Sequence, residues 1–263
     1  MLGENQLRKK MLSGKKVFGV FSSIPSPTAV ELIGESGFDF VIIDTEHVLT
    51  NPETLENMIR AAEAVHLTPL VRVEDTHPKR ILKILDAGAQ GIVLPMIEHA
   101  EEVRQVIQAC KYHPLGKRSL NAGRPGAFGR NKAFGNNGLV DYMAFANQQI
   151  MIIPMIESIT GVKNAKEIAA VDGVSFVLEG AADLSQSMGR PWEINHPEVQ
   201  HALKEVLDIC KETGTPYCAI PRQDTQLQQW FDLGVKTFVL GDERGIAFRA
   251  LCSRLELAKL EIK

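Results

Sequence analysis

Four apolar runs in this chain of 263 residues end on side chains that can move protons or hold charge. VIIDTEH (41–47) carries Asp44 and His47, PLVR (69–72) ends on Arg72, MIIPMIE (151–157) on Glu157, and FVLEGAAD (176–183) on Asp183. An Asp three residues before a His suits a pair in which the carboxylate holds one imidazole nitrogen and the other moves a proton. The alternative is a histidine satisfied as an ordinary polar group, with Glu46 pairing locally. Arg72 lies in an apolar run, where a guanidinium needs anionic company. That company is a substrate carboxylate or oxyanion, or else Glu157 or Asp44.

Glu157 and Asp183 make a hard-oxygen pair suited to Mg²⁺ or Mn²⁺, with water and substrate filling the other positions. A 2-oxo acid would chelate such an ion, which would then stabilise an enolate by its charge. Helix capping or ion pairing is the structural alternative for both carboxylates. The Gly180-Ala181-Ala182 turn would offer backbone N–H groups to a carboxylate or phosphate, or simply make a tight βα turn. Arg118, Asn121 and Arg124 would meet a larger anionic substrate or remain solvated. His66, His77, His99, His113 and His201 lie in helices, turns or polar flanks without a cluster and receive no role.

Something must bring these distant residues together, and the pattern between them supplies it. An amphipathic helix, a glycine, a short gap and an apolar run recur in ELIGESGFDFVIID, ILDAGAQGIVLP, WFDLGVKTFVLG and DICKETGTPYCAIP. Gly37, Gly88, Gly214 and Gly234 stand where a left-handed helix C-cap costs least without a Cβ. Strands are expected at 17–22, 39–44, 68–73, 91–95, 150–156, 174–178, 216–220 and 236–240. Their near-continuous apolar content fits strands buried on both faces. About eight βα units over this length predict an α/β fold, a (β/α)8 TIM barrel in a single domain over 1–263, with all strand ends opening onto one face. Asn51-Pro52-Glu53 and His196-Pro197-Glu198 read as helix starts. The stretch from Tyr112 to Tyr142 lacks either period and is expected to run over the catalytic face.

Composition narrows the function classes. A net charge of -3, 44% hydrophobic and 23% charged residues describe a globular chain with no electrostatic footprint for nucleic acid or an anionic membrane. The basic group Arg8, Lys9, Lys10, Lys15 and Lys16 reads as the solvated face of a first helix. Cys110, Cys210, Cys218 and Cys252 have no metal or redox spacing and read as reduced, cytoplasmic residues. No apolar run is long enough for a membrane span, and no signal-peptide core is present.

Gly37-Phe-Asp-Phe-Val-Ile-Ile-Asp44-Thr-Glu-His47, Val71-Arg72, Leu85-Asp86-Ala-Gly, Gly91-Ile-Val-Leu-Pro95, Ile156-Glu157 and Ala182-Asp183-Leu-Ser185 together resemble the HpcH/HpaI aldolase family of the phosphoenolpyruvate/pyruvate superfamily. The resemblance implies a (β/α)8 barrel, usually a hexamer built as a dimer of trimers, with class II pyruvate-aldolase chemistry on a 2-oxo acid. It implies Glu157 and Asp183 as ligands of Mg or Mn, Arg72 as the group that stabilises the enolate, and Asp44 with His47 as the proton carriers. It further implies that Gly180, Ala181, Ala182 and Asp183 hold the oxo-acid carboxylate and that Asp86 serves a neighbouring subunit's site. The chain departs from the family aldolases at Met155, where they carry Gln, and at Ala181, where they carry Pro. GVFSSIP, EHVLT, PMIES and EGAADLSQSMG resemble instead the branch of citrate synthases found in siderophore biosynthesis. That branch implies condensation of oxaloacetate with the cosubstrate acetyl-CoA and no metal requirement.

Overall fold

A computed structural model describes residues 2–223 and 225–262. Eight parallel strands close into a barrel in chain order: β1 (Val17–Ser22), β2 (Phe40–Asp44), β3 (Thr68–Arg72), β4 (Gly91–Leu94), β5 (Met151–Ile156), β6 (Val177–Glu179), β7 (Tyr217–Ala219) and β8 (Thr237–Asp242). The helices are α1 (Gln6–Leu12), α2 (Pro27–Glu35), α3 (Pro52–Ala64), α4 (Pro78–Ala87), α5 (Ala100–Cys110), α6 (Leu139–Gln149), α7 (Ile159–Lys163), α8 (Ala165–Ala169), α9 (Ala181–Ser187), α10 (Pro197–Thr213), α11 (Gln226–Asp232) and α12 (Glu243–Glu261). The expected barrel is therefore the observed fold. Only the sixth strand moved appreciably, starting at Val177 rather than 174.

Strand alternation divides the core in two. Val17, Phe40, Ile42, Leu70, Val93, Met151, Ile153, Met155, Phe176, Leu178, Cys218 and Val239 fill the lumen as one cluster. Val41, Ile43, Val71, Ile92, Ile152 and Val177 face the helices as part of the other. Every strand thus buries both faces, which is why the runs read as continuously apolar.

The helix ends behave as the glycines require. Gly37, Gly88, Gly214 and Gly234 all have positive φ, at 92°, 118°, 74° and 91°. Asn51 caps α3 by accepting the Thr54 amide at 2.8 Å, and His196 caps α10. Below the lumen, α1 acts as a plug. Leu7 is buried among the lumen side chains, and Asn5 bonds Gln149 through its amide and side chain, both at 2.9 Å.

One expectation is corrected here: the segment 112–138 lies at the opposite end from the catalytic face. Helix α5 carries the chain down before this excursion begins, so it leaves the foot of that helix and leads through α6 to the foot of β5. Arg118 pairs with Asp86 at the end of α4 (2.8 Å), and Arg124 pairs with Glu63 at the end of α3 (2.5 Å). The amide of Leu2 donates to Pro125 O at 3.0 Å. Both arginines are therefore structural latches among helix C-termini, away from this barrel's mouth. The last part of the expected loop, from Leu139, is helical.

Helix α12 buries no residue and contacts only β1 and β8 appreciably. Phe248, Leu251, Leu255 and Leu260 on it are exposed. Cys110, Cys210 and Cys218 are buried and free, as expected, and Cys252 is free. Among the described residues no helix is long and apolar enough to cross a membrane.

Candidate active site

Two residues above Ile42, Leu70 and Met155, the next inward positions belong to Asp44 on β2, Arg72 on β3 and Glu157 just past the end of β5. The barrel register sets Asp44 directly beside Arg72. Their side chains form a two-pronged pair, with Arg72 Nε 3.0 Å from Asp44 Oδ1 and Nη2 2.9 Å from Oδ2. Such planar bidentate pairs are the strong form of this contact. Arg72 Nη1 also lies 3.1 Å from Glu46 Oε2, an ion contact without hydrogen-bond alignment. The guanidinium stacks over the Phe21 ring, 4.7 Å from its centroid. A guanidinium has five N–H groups. Asp44 accepts two of them, and the other three make no hydrogen bond among the described residues.

The expected side-chain bond between Asp44 and His47 is not made. Asp44 spends both oxygens on Arg72 and also accepts the backbone amides of Glu46 (3.1 Å) and His47 (3.4 Å). The carboxylate facing the imidazole belongs to Glu46, with Oε2 3.5 Å from His47 Nε2. The His47 side chain is 61% exposed, open to a ligand above the mouth. Burial raises the Glu46 carboxyl above its ordinary range, opposed by Arg72 and His47 and reinforced by Asp44 and Asp183.

Glu157 is almost fully enclosed. Its Oε1 accepts the Met96 amide at 2.6 Å, and Met96 adopts a left-handed backbone (φ 53°) to present that amide. Behind the carboxylate stands Gly180, at which any Cβ would overlap Glu157 Oε2 and Cβ. Burial pushes the Glu157 carboxyl up to about 7; the Met96 bond opposes this, and the charges of Asp183 and Glu46 add to it. Asp183 stands in the first turn of α9, near enough for its charge to act on both carboxyls.

The amide of Gly180 is spent on Ile156 O at 3.2 Å, so Gly180 does not offer an N–H to a ligand as expected. The first-turn amides of Ala181, Ala182 and Asp183 have no acceptor within the helix. Asp86 lies outside this mouth, at the foot of α4, where it binds Arg118. Sequence reasoning missed Phe21, whose inward position follows from the alternation in β1, and Met96, whose backbone conformation leaves no sequence signal. It treated Glu46 as a local partner only.

A divalent cation fits the donor chemistry. Glu157 and Asp183 present two carboxylates whose mutual repulsion a Mg²⁺ or Mn²⁺ would relieve, and such ions are commonly held by one or two carboxylates with water and substrate oxygens. Among the described residues no third Asp, Glu, His or Cys joins them. A cleft of about 770 Å³ lies apart from the mouth, between α7, α9 and α10, lined by Ile159, Val162, Leu184 and Met188. Its size does not make it the site, because it contains none of the charged groups described above.

A closed parallel barrel with an arginine paired to Asp44, in contact with Glu46 and within reach of the Glu157 charge at the carboxyl ends of its strands is the architecture of a TIM-barrel enzyme. The chain belongs to the HpcH/HpaI aldolase/citrate lyase family, whose profile matches residues 17–241. It is similar to the crystal structure of citrate synthase SbnG, with 41% identity, a TM-score of 0.89, and coverage of 98% of this chain and 99% of that one. It is 30% identical to the 4-hydroxy-2-oxo-heptane-1,7-dioate aldolase of Escherichia coli over 94% of this chain and 92% of the aldolase. It is also 30% identical to the 5-keto-4-deoxy-D-glucarate aldolase of an Enterobacter species, over 94% of each chain.

Proposed function

We propose that this enzyme condenses oxaloacetate with acetyl-CoA to citrate, as a step in siderophore biosynthesis in the cytoplasm. The observation that carries this reading is the 41% identity to a citrate synthase over nearly the whole of both chains, against 30% to the aldolases. The site's floor agrees with it. Met155 faces the lumen directly below Glu157, so the place where family aldolases carry a hydrogen-bonding Gln is apolar here.

In this reading the unbonded N–H groups of Arg72 hold the keto and carboxylate oxygens of the oxo acid, with the Ala181 and Ala182 amides on its carboxylate. A proton leaves the thioester methyl for His47, and the resulting enolate carbon attacks the keto carbon. The new C–C bond turns the keto oxygen into an alkoxide beside Arg72, where a preorganised cation is worth most. A proton then completes the hydroxyl, and water releases the thiol. Asp44 keeps Arg72 aimed. Glu157, titrating near neutrality, is placed to share proton movement.

The second reading is a divalent-metal-dependent class II aldolase that cleaves 4-hydroxy-2-oxo acids to pyruvate and an aldehyde. It is favoured by the carboxylate pair Glu157 and Asp183, which would hold Mg or Mn. A bound ion would supply Lewis-acid stabilisation of an enolate. A third reading, a non-catalytic oxo-acid-binding protein, has no use for a proton-transfer pair.

The exposed apolar residues of α12 support a homo-oligomer, proposed as a hexamer built as a dimer of trimers. In that assembly Asp86 would serve a neighbouring barrel. The deciding experiment is free thiol release from acetyl-CoA in the presence of oxaloacetate, with and without chelator. Release that persists in chelator supports citrate synthesis. Pyruvate release from 4-hydroxy-2-oxo acids that chelator abolishes, with no thiol release, supports the aldolase.

A further inference from the structure

The Asp44-Thr45-Glu46-His47 turn is bolted to β3 at each step. Thr45 donates to Arg72 O through both its amide (3.0 Å) and its hydroxyl (2.6 Å). The Glu46 amide is held by Asp44 Oδ1. The direction of the Glu46 side chain is thereby set, between Arg72 Nη1 at 3.1 Å and His47 Nε2 at 3.5 Å. Its Oε2 is shut off from solvent and has no aligned hydrogen bond. A buried carboxylate oxygen in that state is costly unless something at the site uses it. Asp44 does not stand beside the imidazole: both its oxygens face Arg72, and Oδ1 also accepts the Glu46 and His47 amides.

We propose that Glu46, rather than Asp44, is the positioning residue of proton transfer: it holds His47 by Nε2, leaves Nδ1 free to act, and ties that imidazole to the guanidinium that receives the developing charge. The proposal rests on the reading of His47 as the proton acceptor. In the step it serves, a C–H bond beside the carbonyl breaks and an N–H bond forms at His47 Nδ1. The electron pair moves to the carbonyl oxygen. The charged groups around Glu46 are Arg72 from β3, Asp44 from β2, Glu157 after β5, Asp183 from α9 and His47 on the same turn.

The test is solvent deuterium exchange into the methyl groups of acetyl-CoA and of pyruvate, followed by proton NMR, because either carbon nucleophile must first be deprotonated. For histidines at metal sites a lost carboxylate partner typically costs roughly 10- to 100-fold in function, and the same scale is taken for His47. Glu46→Gln is expected to slow exchange by that factor, while its affinity for oxalate, measured by calorimetry, stays within about threefold of wild type, the steric fit being preserved. The double variant Glu46→Gln/His47→Ala is expected to be no slower than His47→Ala alone, since residues acting as a unit are not additive. Multiplicative losses in the double variant, unchanged exchange in Glu46→Gln, or joint collapse of oxalate binding and thermal midpoint would each overturn the role given to Glu46. Absence of exchange from either methyl group by the wild-type enzyme would instead sink the enolising reading of the site, and this proposal with it.

Discussion

Asp44 and Arg72 are register partners on adjacent strands, and because both point into the lumen their side chains meet as a bidentate ion pair at the barrel mouth. The pair is nearly buried, so its arginine arrives at the substrate already oriented and already partly desolvated. Preorganisation of that kind is what an enzyme needs where negative charge develops.

Replacing Arg72 by Lys keeps the charge and loses the fork. A lysine cannot satisfy Asp44 and Glu46 together and still present two N–H groups outward. Breaking a buried hydrogen-bonded charge pair costs about 2–5 kcal/mol. The kcat/KM of Arg72→Lys is expected to fall by about 30- to 1000-fold or more, measured in whichever assay the wild type supports. Activity within threefold of wild type would show that the fork is not used.

Gly180 is a steric residue. Gly180→Ala puts a methyl group where the Glu157 carboxylate stands, and overpacking of this kind typically costs about 1–3 kcal/mol. The expected result is a lower thermal midpoint together with a 10- to 100-fold loss of kcat, on the order of the same energy again at the reacting centre. A fully active, fully stable Gly180→Ala would mean that Glu157 sits elsewhere when the enzyme works.

The raised Glu157 carboxyl sets a pH dependence of stability. Its ordinary value of 4.5 applies to the unfolded chain and about 7 to the fold. The folded state therefore binds more protons between those limits, and stability falls as pH rises through that window. Glu157→Gln removes the penalty while still accepting the Met96 amide. In chelator it is expected to match the wild type near pH 4 and exceed its stability at pH 8, by on the order of 3 kcal/mol at most. Chemical denaturation at the two pH values measures this difference. A variant less stable than wild type at pH 8 would refute the buried, uncompensated carboxylate.

Helix α12 exposes Phe248, Leu251, Leu255 and Leu260, and none of its residues is buried among the described residues. Leu251→Glu together with Leu255→Glu is expected to dissociate the proposed homo-oligomer, read by light scattering, while leaving the barrel's circular dichroism intact, since neither side chain belongs to the core. An unchanged mass for the double variant would remove α12 from the interface.

The barrel was legible because each βα unit carries the same marks, and Gly37, Gly88, Gly214 and Gly234 did fall at left-handed helix ends. The convergence of Asp44, Arg72, Glu157 and Asp183 was legible for the same reason, since parallel strands share one carboxyl end. The partner of His47 was not. Sequence proximity favoured Asp44, but lateral register gives Asp44 to Arg72, and that register cannot be read from one strand alone. The segment 112–138 was misplaced because its composition records irregularity without recording which end of a helix it follows. Met96 was invisible because its left-handed backbone goes with a bond to the Glu157 carboxylate, a contact made 61 residues along the chain.

The most direct measurement is a crystal structure of the enzyme soaked with oxaloacetate, with electron density deciding where the oxo acid lies. A keto or carboxylate oxygen is expected at about 3 Å from the outer N–H groups of Arg72, with the carboxylate against the first turn of α9. Oxaloacetate bound in the flank cleft between α7 and α10, or at the foot of the barrel near Arg118, with the Arg72 fork left free, would contradict the account.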